Sequence, residues 1–291
     1  MAKKRAVEGC VIKALPAGQE VRAAHNAYDI NPANYPRVDK GTFTPQELAV
    51  LSTKFWGAGG VALGVSFLDS PSAGVRDRIL DHMNAWGETA NMVFRWSFSG
   101  GEVRIDRGSD GYWSYLGTDI LLMPKNAATM NLQGITLTTP EEECRRSIRH
   151  ETGHTAGFPH EHLRRALISR LDESKTENYY AQHYGWSALM TRQNVLTPIE
   201  ERAIIATPAA DETSIMTYPI AGECTRNGQP IKGGLDINNT DRWFAGQLYP
   251  KAAPPAPAAK VMTLTVDVKA GSYTLTPAPA SRAAVEMGMA G

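Results

Sequence analysis

Apolar positions along the chain recur with two different periods, and their order predicts a mixed fold. Residues 1 to about 52 read as irregular and polar, and NPANYP at Asn31–Pro36 breaks what periodicity there is. From Val61 the signals sharpen. VALGVSFLD predicts a buried strand, and SPSAGVRDRILDHMNAWGETA predicts a helix that places Val75, Ile79, Met83 and Trp86 on one face, with Pro71 and Ser72 as start residues. NMVFRWSF and EVRIDR predict two strands separated by a turn at Ser99–Gly101, and GTDILLMP a further strand ended by Pro124. This β-α-β-β-β half precedes TTPEEECRRSIRHETGHTAG, the best helix pattern of the chain. There Thr139 can cap, Pro140 suits the first turn, Glu141 to Glu143 lie where the helix dipole favours acids, and Gly157 is the stop. Helical pieces follow around 173–184 and 186–194, then a turn-rich stretch, then a last short helix in NNTDRWFAGQLYP.

The pattern predicts an α+β chain in four parts: an N-terminal extension or propeptide over 1–53, a main domain over 54–250, a Pro/Ala linker over 251–260, and a tail over 261–291 that alternates like a β hairpin. Thirty basic and thirty acidic residues cancel, so no net field favours nucleic acid or an anionic surface. No apolar run approaches the roughly 18 residues of a membrane span. The basic start, Lys3 to Arg5, lacks the apolar stretch of a secretion signal, so no leader is visible. Cys10, Cys144 and Cys224 are too few for a disulfide scaffold, and none forms a C-x-x-C pair.

The chemistry concentrates in RHETGHTAGFPHEH, Arg149 to His162, which holds four of the seven histidines. On a helix, His150 and His154 differ by roughly 40° in azimuth and 6 Å in rise, so both imidazoles can hold one ion. Glu151 lies about 100° around from His150, placed to reach water beside the ion rather than the ion itself. A catalytic zinc takes three protein ligands. Gly157 can turn the chain sharply out of the helix, and His160 can then return beneath the ion as the third. His162 falls outside this spacing and is expected at the surface. Nitrogen ligands without thiolates suit Zn2+ best among common ions.

H-E-x-x-H-x-x-G-x-x-H, followed later by SIMTY at Ser214–Tyr218, resembles the metzincin signature with its methionine turn. GFPHE, the tyrosine closing SIMTY, WSYLG at Trp113–Gly117 and WGAGGVALGVSF are similar to astacin sequences, over about residues 54–250. The resemblance implies a metzincin-type zincin: a twisted mixed sheet, an active-site helix over a zinc cleft, and an irregular helical C-terminal subdomain. It implies a zinc-dependent metalloendopeptidase with one catalytic Zn2+ on His150, His154 and His160, Glu151 as general base, Met216 as floor and Tyr218 as a switch residue on the oxyanion. Glu161 would pair with a buried amino terminus. The substrate would be an extended peptide, with the strand near Asp119 to Leu122 lining the cleft, and work would take place outside the cytosol. The first 50 residues would act as a propeptide, with Cys10, or an aspartate such as Asp29 or Asp39, as latency ligand. The chain departs from astacins in HLRRALISRLDESKTENYY after His160-Glu161, and in lacking their cysteine framework; only Cys144 and Cys224 lie in the matching region. The competing reading is a non-proteolytic zinc-containing binding or adhesion module on the same fold.

Overall fold

The computed structural model describes residues 10–36, 44–45, 52–199, 207–252, 262–267 and 272–277. The chain divides at Lys251/Ala252 into two units. The first contains a six-stranded mixed sheet of strands β1 (Val11–Ile12), β2 (Val61–Phe67), β3 (Met92–Trp96), β4 (Val103–Asp106), β5 (Tyr112–Ser114) and β6 (Met130–Leu132), in the order β1-β5-β6-β4-β2-β3. The β5/β6 pair is antiparallel and the other neighbours are parallel.

Val61, Leu63 and Val65 of β2 are buried, as are Phe94, Val103 and Ile105 on the strands beside it. Parallel β2 and β3 need a crossover, supplied by helix α2 (Ala73–Asn84), whose Val75, Ile79 and Met83 enter the same core. β3 and β4 are not partners, because β2 lies between them: Val65 pairs with Trp96 on one side and Val103 on the other. The chain crosses β2 at the glycines of this turn; a Cβ on Gly101 would meet the Gly64 carbonyl oxygen at 2.6 Å.

Three expectations require correction. GTDILLMP is not a strand: Gly117–Leu122 is a 3-10 turn with Gly117, Thr118, Asp119 and Ile120 buried. Gly117 at φ +48° lets the chain turn inward, where Thr118 N–H donates to the Lys54 carbonyl at 3.0 Å. The strand beside the histidines is instead β5, joined by β6, and at three residues each they are too short to show a period. Second, the extension is not wholly irregular, since helix α1 spans Glu20–Ile30. Its buried face is Ala23, Ala24 and Ala27, too small to mark an amphipathic stripe. Third, Thr139 does not cap the histidine helix α3 (Glu141–Thr155); Pro140 occupies the cap position and the Thr139 hydroxyl accepts from Thr136 N–H.

Asn34, buried beyond α1, ties the N-terminal segment to the main domain. Its amide donates to the carbonyls of Ala27 and Phe55 and accepts from the Thr53 hydroxyl and Phe55 N–H, all at 2.8–2.9 Å. After the histidine segment, helix α4 (Glu173–Tyr184) starts on the Asp172 side chain and ends at Gly185, φ +69°. A π turn follows at Arg192–Leu196, and helix α5 spans Asn239–Leu248. A second core gathers Cys10, Leu167, Leu171, Tyr180, Val195, Tyr218, Ile220, Cys224 and Ile231. Cys10, Cys144 and Cys224 are all free and buried.

In the second unit, β7 (Met262–Asp267) pairs antiparallel with β8 (Ser272–Pro277). The linker from Pro254 to Lys260, the hairpin turn and Asp39 lie outside the described residues. Among the described residues no helix is long and apolar enough to cross a membrane.

Candidate metal centre

Helix α3 enters the core with Ile148, His150, Glu151, Thr152, Gly153, His154 and Thr155 all buried. Trp86 Nε1 donates to the Arg149 carbonyl at 2.8 Å and Trp56 Nε1 to that of Thr155 at 2.9 Å, fixing the last turns from two sides. The helix stops at Gly157, φ +97°. A Cβ there would meet Phe55 Cδ1 at 2.9 Å and the Lys54 carbonyl oxygen at 3.0 Å, so the turn needs glycine for conformation and for space. His160 then comes back toward the helix, its ring centroid 4.5 Å from His154 and 5.3 Å from His150.

The donor atoms of Cys10, His150, His154 and His160 all lie within 4.8 Å of one another, and all four side chains are buried. Their hydrogen bonds fix which nitrogens face inward. His150 Nδ1 lies 2.6 Å from the Ile215 carbonyl oxygen, and His154 Nδ1 lies 2.8 Å from that of Phe158. A carbonyl can only accept, so each Nδ1 carries the hydrogen and each Nε2 presents a lone pair. His154 Nε2 faces His160 Nε2 at 3.1 Å and Cys10 Sγ at 3.4 Å, while buried His150 Nε2 has no hydrogen-bond partner among the described residues. Lone pairs converging in a buried space are satisfied by a cation among them. Burial holds His154 down at about 4, and His150 and His160 well below the usual imidazole range, so all three are neutral, as metal ligation requires. The donor set therefore fits a zinc ion.

Glu151 is on the same helix and its Oε2 is buried without a partner. Burial raises its carboxyl to about 8, against the opposing pull of Cys10 and Arg146. Tyr218 is buried, its ring 6.0 Å from that of His160 and 6.4 Å from that of Tyr180, with no well-formed hydrogen bond to its hydroxyl among the described residues. The structure thus brings His150, His154 and His160 together with Cys10, with Glu151 on the same helix and the Tyr218 ring 6.0 Å from that of His160. His162 is not at the surface but 1% exposed, packed 4.8 Å from His160 and 5.4 Å from Tyr218, with Nε2 3.1 Å from the Asn194 carbonyl oxygen on the π turn. Spacing gave no sign of this, because its partners lie far along the chain. Glu161 accepts from Arg164 at 3.2 Å and from Asp211 N–H at 3.1 Å, and burial raises its carboxyl to about 7.

Asp241 is a site residue that the sequence reading did not single out. Its carboxylate accepts from the Ser214 hydroxyl at 2.5 Å, Ile215 N–H at 2.9 Å and Asn238 N–H at 3.0 Å. It therefore completes the capping box of α5 and holds the methionine turn whose Ile215 carbonyl orients His150. Glu161 N–H donates to the Met216 carbonyl at 2.9 Å, locking the His160 loop to the same turn.

The mixed sheet, the histidine helix and the methionine turn give the chain a fold like that of the astacin-like metzincins, and its buried His/Cys cluster could hold a metal ion. The solved structures it is similar to include myroilysin, at a TM-score of 0.63 and 28% identity over 69% of this chain and 97% of that one. A crystal structure of myroilysin matches at a TM-score of 0.53 and 26% identity, over 82% and 98%. A third, high choriolytic enzyme 1, a hatching enzyme zinc-protease from Oryzias latipes (Medaka fish), reaches a TM-score of 0.44 at 20% identity over 67% and 94%. No protein-family model and no curated protein matches the chain.

Proposed function

We propose that the chain is a zinc-dependent metalloendopeptidase made as a latent form, with His150, His154 and His160 as metal ligands, Glu151 as general base and Tyr218 as oxyanion donor. The observation that carries this reading is the convergence of three imidazoles on the helix that also carries Glu151, whose buried Oε2 has no hydrogen-bond partner among the described residues. Zinc held there supplies Lewis-acid chemistry, acidifying water and polarising a carbonyl. Glu151 takes the proton of the attacking water and delivers it to the departing amine. Tyr218 donates its hydroxyl hydrogen to the oxygen on which charge develops. Asp241 keeps His150 in the ligating tautomer through the methionine turn.

β5 supports an extended substrate. It is the edge of the main-domain sheet, occupied by the chain's own β1, with Val11 paired to Trp113 and Ile12 to Ser114. Ser114 Oγ lies 3.1 Å from Thr155 Oγ1, which fastens this edge to the histidine helix. A strand running through the site places peptide on both sides of the metal, which favours an endopeptidase. The same contacts argue for latency. Cys10 brings a fourth donor to the three imidazoles, a strong zinc ligand once deprotonated, and β1 fills the edge a substrate needs. Asp29, the other described candidate for that role, is outside the cluster. By resemblance the enzyme works outside the cytosol, where detection of processed chain would place it.

Casein cleavage by Cys10→Ala chain, with and without Glu151→Ala, tests this directly. Loss of the base is expected to reduce cleavage by about 10²–10⁴-fold while zinc stays at one ion per chain. If Cys10→Ala chain binds zinc and cleaves nothing with Glu151 present, even after limited proteolysis has cut away the N-terminal segment that carries β1, the binding-module reading replaces this one.

A further inference from the structure

Three residues beyond Cys10, the Lys13 ammonium lies 3.0 Å from Asp110 Oδ2 and 4.5 Å above the centroid of the Trp113 ring. Trp113 Nε1 donates to the same Asp110 oxygen at 2.8 Å, so carboxylate and ring are joined before any cation arrives. Lys13 N–H also donates to the Ser114 carbonyl at 3.0 Å, extending the β1/β5 pairing by one residue. The segment that fills the cleft thus lies along the edge as a peptide would, with one basic side chain in a place built of an acid and an indole face.

We propose that Asp110 and Trp113 form a substrate subsite for a cationic side chain, lysine or arginine, two to four residues from the scissile bond. This rests on the reading of β5 as the substrate edge and adds a side-chain preference to it. Carboxylate attraction and the negative face of the indole both favour a cation and both reject a glutamate. The Asp110 side chain is 67% exposed, which leaves it open to an incoming peptide but limits the gain through solvent screening. A strand could pair with the edge in either sense, so the cationic position falls on one side of the scissile bond, and cleavage products reveal which.

The test uses the full chain carrying Cys10→Ala and Lys13→Ala, which removes the thiol and empties the subsite without altering its walls. Peptides of one sequence with Lys, Ala or Glu at each position around the scissile bond are cleaved in competition. At one position Lys should exceed Ala by about three- to tenfold in kcat/KM, and Glu should fall below Ala. Asp110→Asn, which keeps an acceptor for the indole, should bring the Lys-to-Glu ratio close to one, and Asp110→Lys should invert it. Cleavage without preference at any position, or a preference that Asp110→Asn leaves unmoved, overturns the subsite and leaves the protease reading standing. Cleavage of no peptide at all, even with peptide in large excess over the two-residue β1 that it must displace, overturns both.

Discussion

At Gly157 one backbone conformation decides whether His160 can join the other two imidazoles. With φ at +97° and its neighbours on the Cβ side at 2.9–3.0 Å, alanine there meets left-handed strain and a clash together. Gly157→Ala should cost about 2–4 kcal/mol of stability and weaken zinc binding, since His160 must shift with the turn. Urea denaturation and a competitive chelator titration read the two effects; a variant with unchanged stability and affinity would show that the turn does not set the ligand. Residues of this kind were legible in the sequence, because a fixed spacing on a helix and a glycine stop translate into geometry without knowledge of the rest of the fold. His162, Asn34 and Asp241 were not. Each owes its place to partners distant in sequence, such as Asn194 for His162 and Ile215 for Asp241.

Among the elements, α2 and the strands β2 to β4 follow from patterned apolar runs, and α3 from its acidic first turn and glycine stop. What the pattern missed was short or small: β5 and β6 at three residues each, and α1 with its alanine face. The 3-10 turn at Gly117–Leu122 misled because ILLM is an unbroken apolar run of strand length, although Leu121 in its middle is exposed. Two of these elements carry predictions. Asn34 makes three hydrogen bonds to residues 53–55 and a fourth back to Ala27 of α1. Asn34→Ala should lose about 2–4 kcal/mol and, on the proposed latency, raise the basal cleavage of otherwise wild-type chain; unchanged basal cleavage would contradict a clasp role for Asn34. In the turn, Asp119 faces Lys54 at 3.7 Å, and burial, only partly opposed by Lys54, raises its carboxyl from 3.8 to about 6. Between those pH values the folded chain keeps a proton that the unfolded chain has released, so this group makes stability fall as pH rises from about 4 to 6 and leaves it level above. The total is of order 3 kcal/mol. Asp119→Asn should lack this component, so its stability relative to wild type should improve across that window; parallel urea profiles at pH 4, 5 and 6 would contradict the assignment.

On the scale of the molecule, the N-terminal segment and the protease core form one unit with a shared interior: Cys10 packs in the same cluster as Tyr180, Tyr218 and Cys224. The segment meets the core through three kinds of contact: the Cys10 thiol at the imidazoles, β1 on β5 and the Asn34 bonds to residues 53–55. The sequence alone supports a metal-binding helix and a cysteine of the right chemistry, but not their meeting, because a contact between residues 10 and 154 leaves no local trace. Zinc K-edge absorption on full-length chain tests the account most directly. It predicts one zinc per chain with three imidazole nitrogens at about 2.0–2.1 Å and one sulfur at about 2.3 Å, the sulfur replaced by a light atom in Cys10→Ser. A first shell without the imidazoles, or no stoichiometric zinc at all, would contradict it.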